Sequence, residues 1–125
     1  MNTLDLLMAK AEQRNNDKLK VKKIESKAIG GEIILKKPPL SKVTQVLDDA
    51  EDLNGTMDNI RSNATIIYEA WPLVKENFAQ LKEAYGVADP IDLIIAMFDD
   101  NIDELQIIAM EVLQFFGMGT EQIKN

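Results

Sequence analysis

The run from Tyr85 to Gly117 constrains the fold most, because it carries the signals that begin and end two helices. Asp89-Pro90 predicts one helix start, since Asp caps free amide groups and Pro fits the first helical turn. Asn101 predicts a second start, while Gly86 and Gly117 suit the left-handed residue that follows a helix. We therefore expect a helical hairpin around which the rest of the chain is organised.

Apolar residues recur at helical spacing in both of these predicted helices, which indicates that each buries one side. We expect the two stripes to form much of the core, and they are Leu93, Ile94, Met97 and Phe98 in the first helix and Leu105, Ile108, Ala109, Val112, Leu113 and Phe116 in the second.

Similar signals divide residues 41–85 into further helices. Ser41 predicts a helix that Asn54-Gly55 ends, and Thr56 begins the next. Pro72 predicts a kink or a restart, after which the apolar pattern continues to Tyr85.

The N-terminal part of the chain has two different patterns. Residues 1–17 predict a short amphipathic helix, capped by Asn2 or Thr3. Residues 18–37 predict a β-hairpin with a turn at Gly30-Gly31. Ile24 falls out of phase with the alternating lysines before it, which predicts a bulge or a strand end.

These signals predict a mainly α-helical protein, a compact helical domain of about five or six helices with a small N-terminal β-hairpin. Residues 1–17 are the N-terminal amphipathic helix or arm, and residues 18–37 are the hairpin. Residues 41–117 are the helical body, and residues 118–125 are a polar tail in a single overall domain.

The composition argues against an enzyme. The chain has no cysteine and no histidine, which removes thiol chemistry, the commonest general base and the commonest metal ligand. No glycine-rich phosphate loop or nucleophile motif is present. We expect no catalytic residue and no cofactor.

A partial calcium-loop pattern begins at Asp99 and continues through Asn101 and Asp103. Glu104 stands where the loop needs glycine for its turn, and Met110 stands where it needs the closing glutamate. The pattern therefore indicates a helix break and cap, and we expect no metal site.

Charge is divided unevenly along the chain. Residues 1–40 hold nine basic and five acidic residues, and residues 41–125 hold five basic and sixteen acidic residues. No aromatic residue precedes Tyr68, although single-strand binders interleave basic and aromatic residues. We interpret the lysines as a solvated strand face and expect no nucleic-acid partner; they are Lys18, Lys20, Lys22, Lys23 and Lys27.

No signal peptide is visible, and no apolar run is long enough to cross a bilayer. We expect a cytoplasmic protein without a membrane partner.

The last predicted helix has apolar residues on its polar side. Ile107, Met110 and Met118 lie on the side that also carries charged and amide groups. Either this helix is buried nearly all round, or these three residues form a second apolar stripe that binds a partner. Both alternatives are open from the sequence.

The segments Tyr68-Glu-Ala-Trp-Pro72 and Gly86-Val-Ala-Asp-Pro-Ile-Asp92, with a closing helix that ends in Phe116-Gly117, resemble the tail assembly chaperones of phages and PBSX-like prophages of Gram-positive bacteria. The resemblance implies a non-catalytic protein that coats the tape measure protein and helps recruit tail tube subunits. It supplies no site residue that can be transferred to this chain. Self-association is a further open expectation.

A second hypothesis is a small regulatory binding module, such as an adaptor or an antitoxin-like protein. Such a module would use the same apolar stripe for one globular partner. An enzyme has no positive support in the sequence.

Overall fold

The computed structural model describes residues 2–17, 21–53 and 56–117 of the chain. The fold is mainly α-helical with a small antiparallel hairpin near the N-terminus, which confirms the predicted fold class. The described elements are α1 (Thr3–Asp17), β1 (Val21–Ser26), β2 (Gly31–Lys36), α2 (Leu40–Leu53), α3 (Thr56–Glu69), α4 (Pro72–Glu76), α5 (Phe78–Tyr85), α6 (Pro90–Met97), α7 (Ile102–Leu113) and a 3-10 helix (Gln114–Phe116).

The helix ends confirm most of the predicted caps. The Asp89 carboxylate accepts a hydrogen bond from the Asp92 amide at 2.8 Å, and the Asn101 amide oxygen accepts one from the Glu104 amide at 3.1 Å. Gly86 follows α5 with a left-handed φ of 68°. These two side-chain caps and the left-handed glycine each provide a hydrogen bond to a backbone group at a helix end, where the helix itself supplies no partner.

Two predicted helix details are different in the structure. α2 begins at Leu40, and the carbonyl of Pro39 rather than Ser41 accepts its first helical hydrogen bond. The stretch after Pro72 restarts as predicted, but it divides at Asn77 into α4 and α5. The described residues therefore form seven α-helices.

The chain turns between α6 and α7 through two left-handed residues. Asp99 and Asp100 have φ angles of 53° and 60°, a conformation that Asp tolerates better than most residues. The turn does not produce the expected helical hairpin, because α6 and α7 pack mainly against α3 and little against each other. α3 also contacts α2 and α4, so α3 is the centre of the helical body.

The core lies between α3, α6, α7 and the inner face of the hairpin. Both predicted stripes contribute to it, and the rings of Trp71 and Phe98 lie 6.0 Å apart at its centre. Leu113 and Phe116, at the end of the second stripe, are only half-buried. The fully buried large side chains include Ile66, Ile67, Leu93, Ile94, Phe98, Leu105, Ile108 and Val112.

The hairpin is regular, so the predicted bulge or strand end at Ile24 is wrong. Ile24 pairs with Ile33, and β1 continues to Ser26. Lys22, rather than Val21, shares the inner face with Ile24, which puts Ile24 in phase. Ile33 and Leu35 supply the buried apolar groups from β2.

Candidate partner-binding surfaces

The first candidate surface is the α1 face, formed by Leu4, Leu7 and Met8, which the helical period places on one side of α1. Leu6 lies on the opposite side of the helix. Asn2 caps this helix by accepting a hydrogen bond from the Asp5 amide at 2.8 Å. The three apolar side chains of this face are more than half exposed, and none of them belongs to the core. Such a concentration of exposed large apolar groups is typical of an interaction site.

The second candidate surface is the outer face of α7. Ile107 is 58% exposed, so the alternative of a helix buried nearly all round is wrong at this position. Met110 is half-buried, and Met118 lies outside the described residues. Partner binding by Ile107, Met110 and Met118 stays a prediction.

Ile102 is an additional exposed apolar residue on α7 that the sequence analysis missed. It is the first residue after the Asn101 cap, where a large apolar side chain has few neighbours within its own helix. Asp99, Asp100 and Asp103 are exposed beside it. We call Asp99, Asp100, Ile102, Asp103 and Ile107 together the acidic α7 face.

Lys22 fixes the hairpin to the end of α7. Its ammonium donates to the Glu111 carbonyl at 2.9 Å and to the Gln114 side chain at 3.0 Å, and it lies 5.1 Å from the centre of the Phe115 ring. A cation is favourable there because the last helical carbonyls carry partial negative charge. The interpretation of the lysines as a solvated face is therefore wrong for Lys22.

The other end of β1 is fixed to the beginning of α7. The buried Ser26 hydroxyl donates to the Glu104 carboxylate at 2.5 Å and accepts from the Ile29 amide at 3.2 Å. The hairpin therefore lies along α7 with a polar contact at each end. Lys23 and Lys27 point to solvent, whereas Lys18 and Lys20 lie outside the described residues.

A groove of about 590 Å³ opens where α1, the end of β2, the start of α2 and the 3-10 helix meet. We call it the basic groove. Lys37 stacks over Phe116, with its ammonium 5.1 Å from the ring centre. The lining residues are Arg14, Lys36, Lys37, Pro38, Pro39, Leu40, Ser41 and Phe116.

Within the described ranges, no three acidic side chains are grouped as a metal site would need. Every buried polar side-chain atom in those ranges has a hydrogen-bond partner. The helices in the same ranges are too short or too polar to cross a membrane.

Comparisons of the chain with family models, with curated proteins and with solved structures gave no match.

Proposed function

We propose that this protein is a non-catalytic chaperone that holds apolar helices of another protein. More particularly, we propose a phage or prophage tail assembly chaperone that binds the tape measure protein in the host cytoplasm and helps recruit tail tube subunits. The resemblance of residues 68–117 to that family supports the particular role.

The observation that carries the proposal is the α1 face. Leu4, Leu7 and Met8 lie within about one helical turn on one side of α1 and are all more than half exposed. Burying these side chains against a partner would remove apolar surface from water. Each Å² of apolar surface that is buried contributes about 25 cal/mol to the free energy of binding. The flexible side chain of Met8 also adapts to partner helices of varied shape.

The length of α1 suits this role. Its 15 residues span about 22 Å, enough to lie along several turns of a partner helix. A tape measure protein is long and helical, and its apolar stripes would aggregate before the tail tube surrounds them. Helix-on-helix packing by many copies of α1 would cover those stripes without any chemical step.

The experiment is co-expression of the full chain with a helical fragment of the tape measure protein encoded in the same phage or prophage genome. The wild-type chain should keep the fragment soluble and should be recovered with it. A double variant, Leu7→Ser with Met8→Ser, should lose recovery of the fragment.

Leu73→Ser is a matched control, because Leu73 is 63% exposed but stands apart from the α1 face. It should bind like the wild type. Recovery of the fragment by the double variant would contradict the α1 assignment. Failure of the wild type to bind, together with capture of one globular protein encoded nearby, would favour the regulatory module instead.

A further inference from the structure

The basic groove concentrates positive charge in an acidic protein. Within the described ranges, its lining carries three cations, from Arg14, Lys36 and Lys37, and no carboxylate, although the chain has a net charge of −7. Among the described residues, neither Arg14 nor Lys36 has an ion-pair partner. Leu40 and Phe116 add apolar surface beside these cations. The groove therefore suits an occupant that is both acidic and apolar.

The acidic α7 face has the complementary chemistry. It presents Ile102 and Ile107 to solvent beside three exposed aspartates. No lysine or arginine occurs between Lys82 and Lys124, so no base in this part of the sequence offsets those carboxylates. None of the three aspartates forms an ion pair with another described residue.

The two surfaces lie at opposite ends of the last helix. Phe116 lines the groove, whereas Asp103 lies in the first turn of α7, and their separation of 13 residues corresponds to about 20 Å along the helix axis. The groove and the acidic α7 face are therefore too far apart to contact each other within one molecule.

We propose that the basic groove binds the acidic α7 face of a second copy of this chain. Ile102 and Ile107 of the second copy pack against Leu40 and Phe116, and its aspartates approach the three cations. Complementary charge steers such an encounter and fixes its register, while the apolar groups supply most of the affinity.

The contact joins two different surfaces, so each dimer retains one free groove and one free acidic α7 face. Association of this kind continues by head-to-tail addition unless the geometry closes a ring. The proposal is independent of the tape-measure role, because it uses neither the α1 face nor any partner protein.

The test is sedimentation velocity of the full chain over about a hundredfold range of concentration, in low salt and in about 1 M salt. Screening reduces the Debye length to about 3 Å at 1 M. The average mass of the wild type should rise with concentration in low salt and should fall in high salt. A wild type that stays monomeric across the low-salt series would overturn the proposal.

Two variants each disrupt one of the two surfaces, the acidic α7 face or the basic groove. Ile107→Lys removes an apolar group from the acidic α7 face and adds a charge that the groove repels, and Lys36→Glu with Lys37→Glu reverses two cations of the groove. Each should associate at least about tenfold more weakly than the wild type. An equimolar mixture of the two should restore a dimer that does not grow further, because only one intact groove and one intact acidic α7 face then remain per pair.

Failure of the mixture to form that dimer would overturn the head-to-tail contact and would favour a symmetric one. Lys23→Glu with Lys27→Glu is the matched control, because it reverses two exposed lysines away from the groove and should associate like the wild type. If the Lys36 and Lys37 changes prevent folding, Arg14→Glu replaces them, since Arg14 is on α1 outside the core.

Discussion

α1 and α7 begin alike and end in different environments. Asn2 and Asn101 cap them by the same side-chain contact, and each helix carries apolar residues at helical spacing. In α7 the stripe is at most 1% exposed at Leu105, Ile108 and Val112, because α3 covers it. In α1 the large apolar side chains are more than half exposed. Apolar spacing thus determines where a helix forms, and the neighbouring elements determine whether its stripe is buried.

An isolated helix of this length is marginal in water. The stability of α7 comes from packing on α3, whereas α1 has no comparable neighbour among the described elements. The α1 face can therefore gain stability only from a partner, which is the physical basis of the proposed function.

The largest expected effect comes from adjacent residues on the two sides of α7. Ile108→Glu places a charge at a position that is 1% exposed, and it should destabilise the fold by more than about 4 kcal/mol. Ile107→Glu, at 58% exposure, should change the unfolding free energy by less than about 0.5 kcal/mol. Chemical denaturation measures both, and equal losses would show that α7 has no free side.

The next comparison uses one substitution at two depths. Leu105→Ala should cost about 2–5 kcal/mol, because Leu105 is fully buried. Leu113→Ala should cost less than Leu105→Ala, at or below the lower end of this range, because Leu113 is half-buried. Thermal or urea unfolding of the two variants tests the order, and a larger loss for Leu113 would contradict the core assignment.

A smaller effect is expected at the polar contact between the hairpin and α7. Lys22→Met should cost about 1 kcal/mol, because it removes two hydrogen bonds while Lys22 remains partly exposed to water. Lys23→Met, on the outer face of the same strand, is the control and should be nearly neutral. Equal unfolding midpoints for the two variants would remove the proposed role of Lys22.

The smallest effect is expected on the α1 face. Leu7→Ser should alter the unfolding free energy of the body by less than about 0.5 kcal/mol, because Leu7 does not contribute to the core. Urea unfolding followed by tryptophan fluorescence measures this directly, since Trp71 lies in the core. A loss above about 1.5 kcal/mol would show that α1 packs on the body, because it would approach the loss expected of a buried leucine.

Local signals predicted much of this fold. The caps at Asp89 and Asn101 and the stripe from Leu93 to Phe98 depend on residues close together in sequence, so their patterns were sufficient. The bulge or strand end at Ile24 and the solvent exposure of Lys22 were predicted wrongly, because alternation gives the phase of a strand but not which phase faces the core. The contacts of Lys22 and Ser26 with α7 and the residue after it, about eighty to ninety positions away, decide which phase faces the core.

The candidate surfaces were predicted in part. Ile107 was identified because an apolar residue on a polar side breaks the helical pattern. The basic groove was missed, because it joins Arg14, residues 36–41 and Phe116, which no local spacing connects. The central position of α3 was missed for the same reason.

Hydrogen exchange of the isolated protein at low concentration tests the difference between α1 and α7 most directly. The account predicts that the amides of the first half of α1, around Leu7, exchange at nearly unprotected rates, whereas α7 amides exchange only with global unfolding of the domain. Protection of α1 equal to that of α7 would show that its apolar face is already covered within one molecule. That result would contradict the claim that this face is available to a partner.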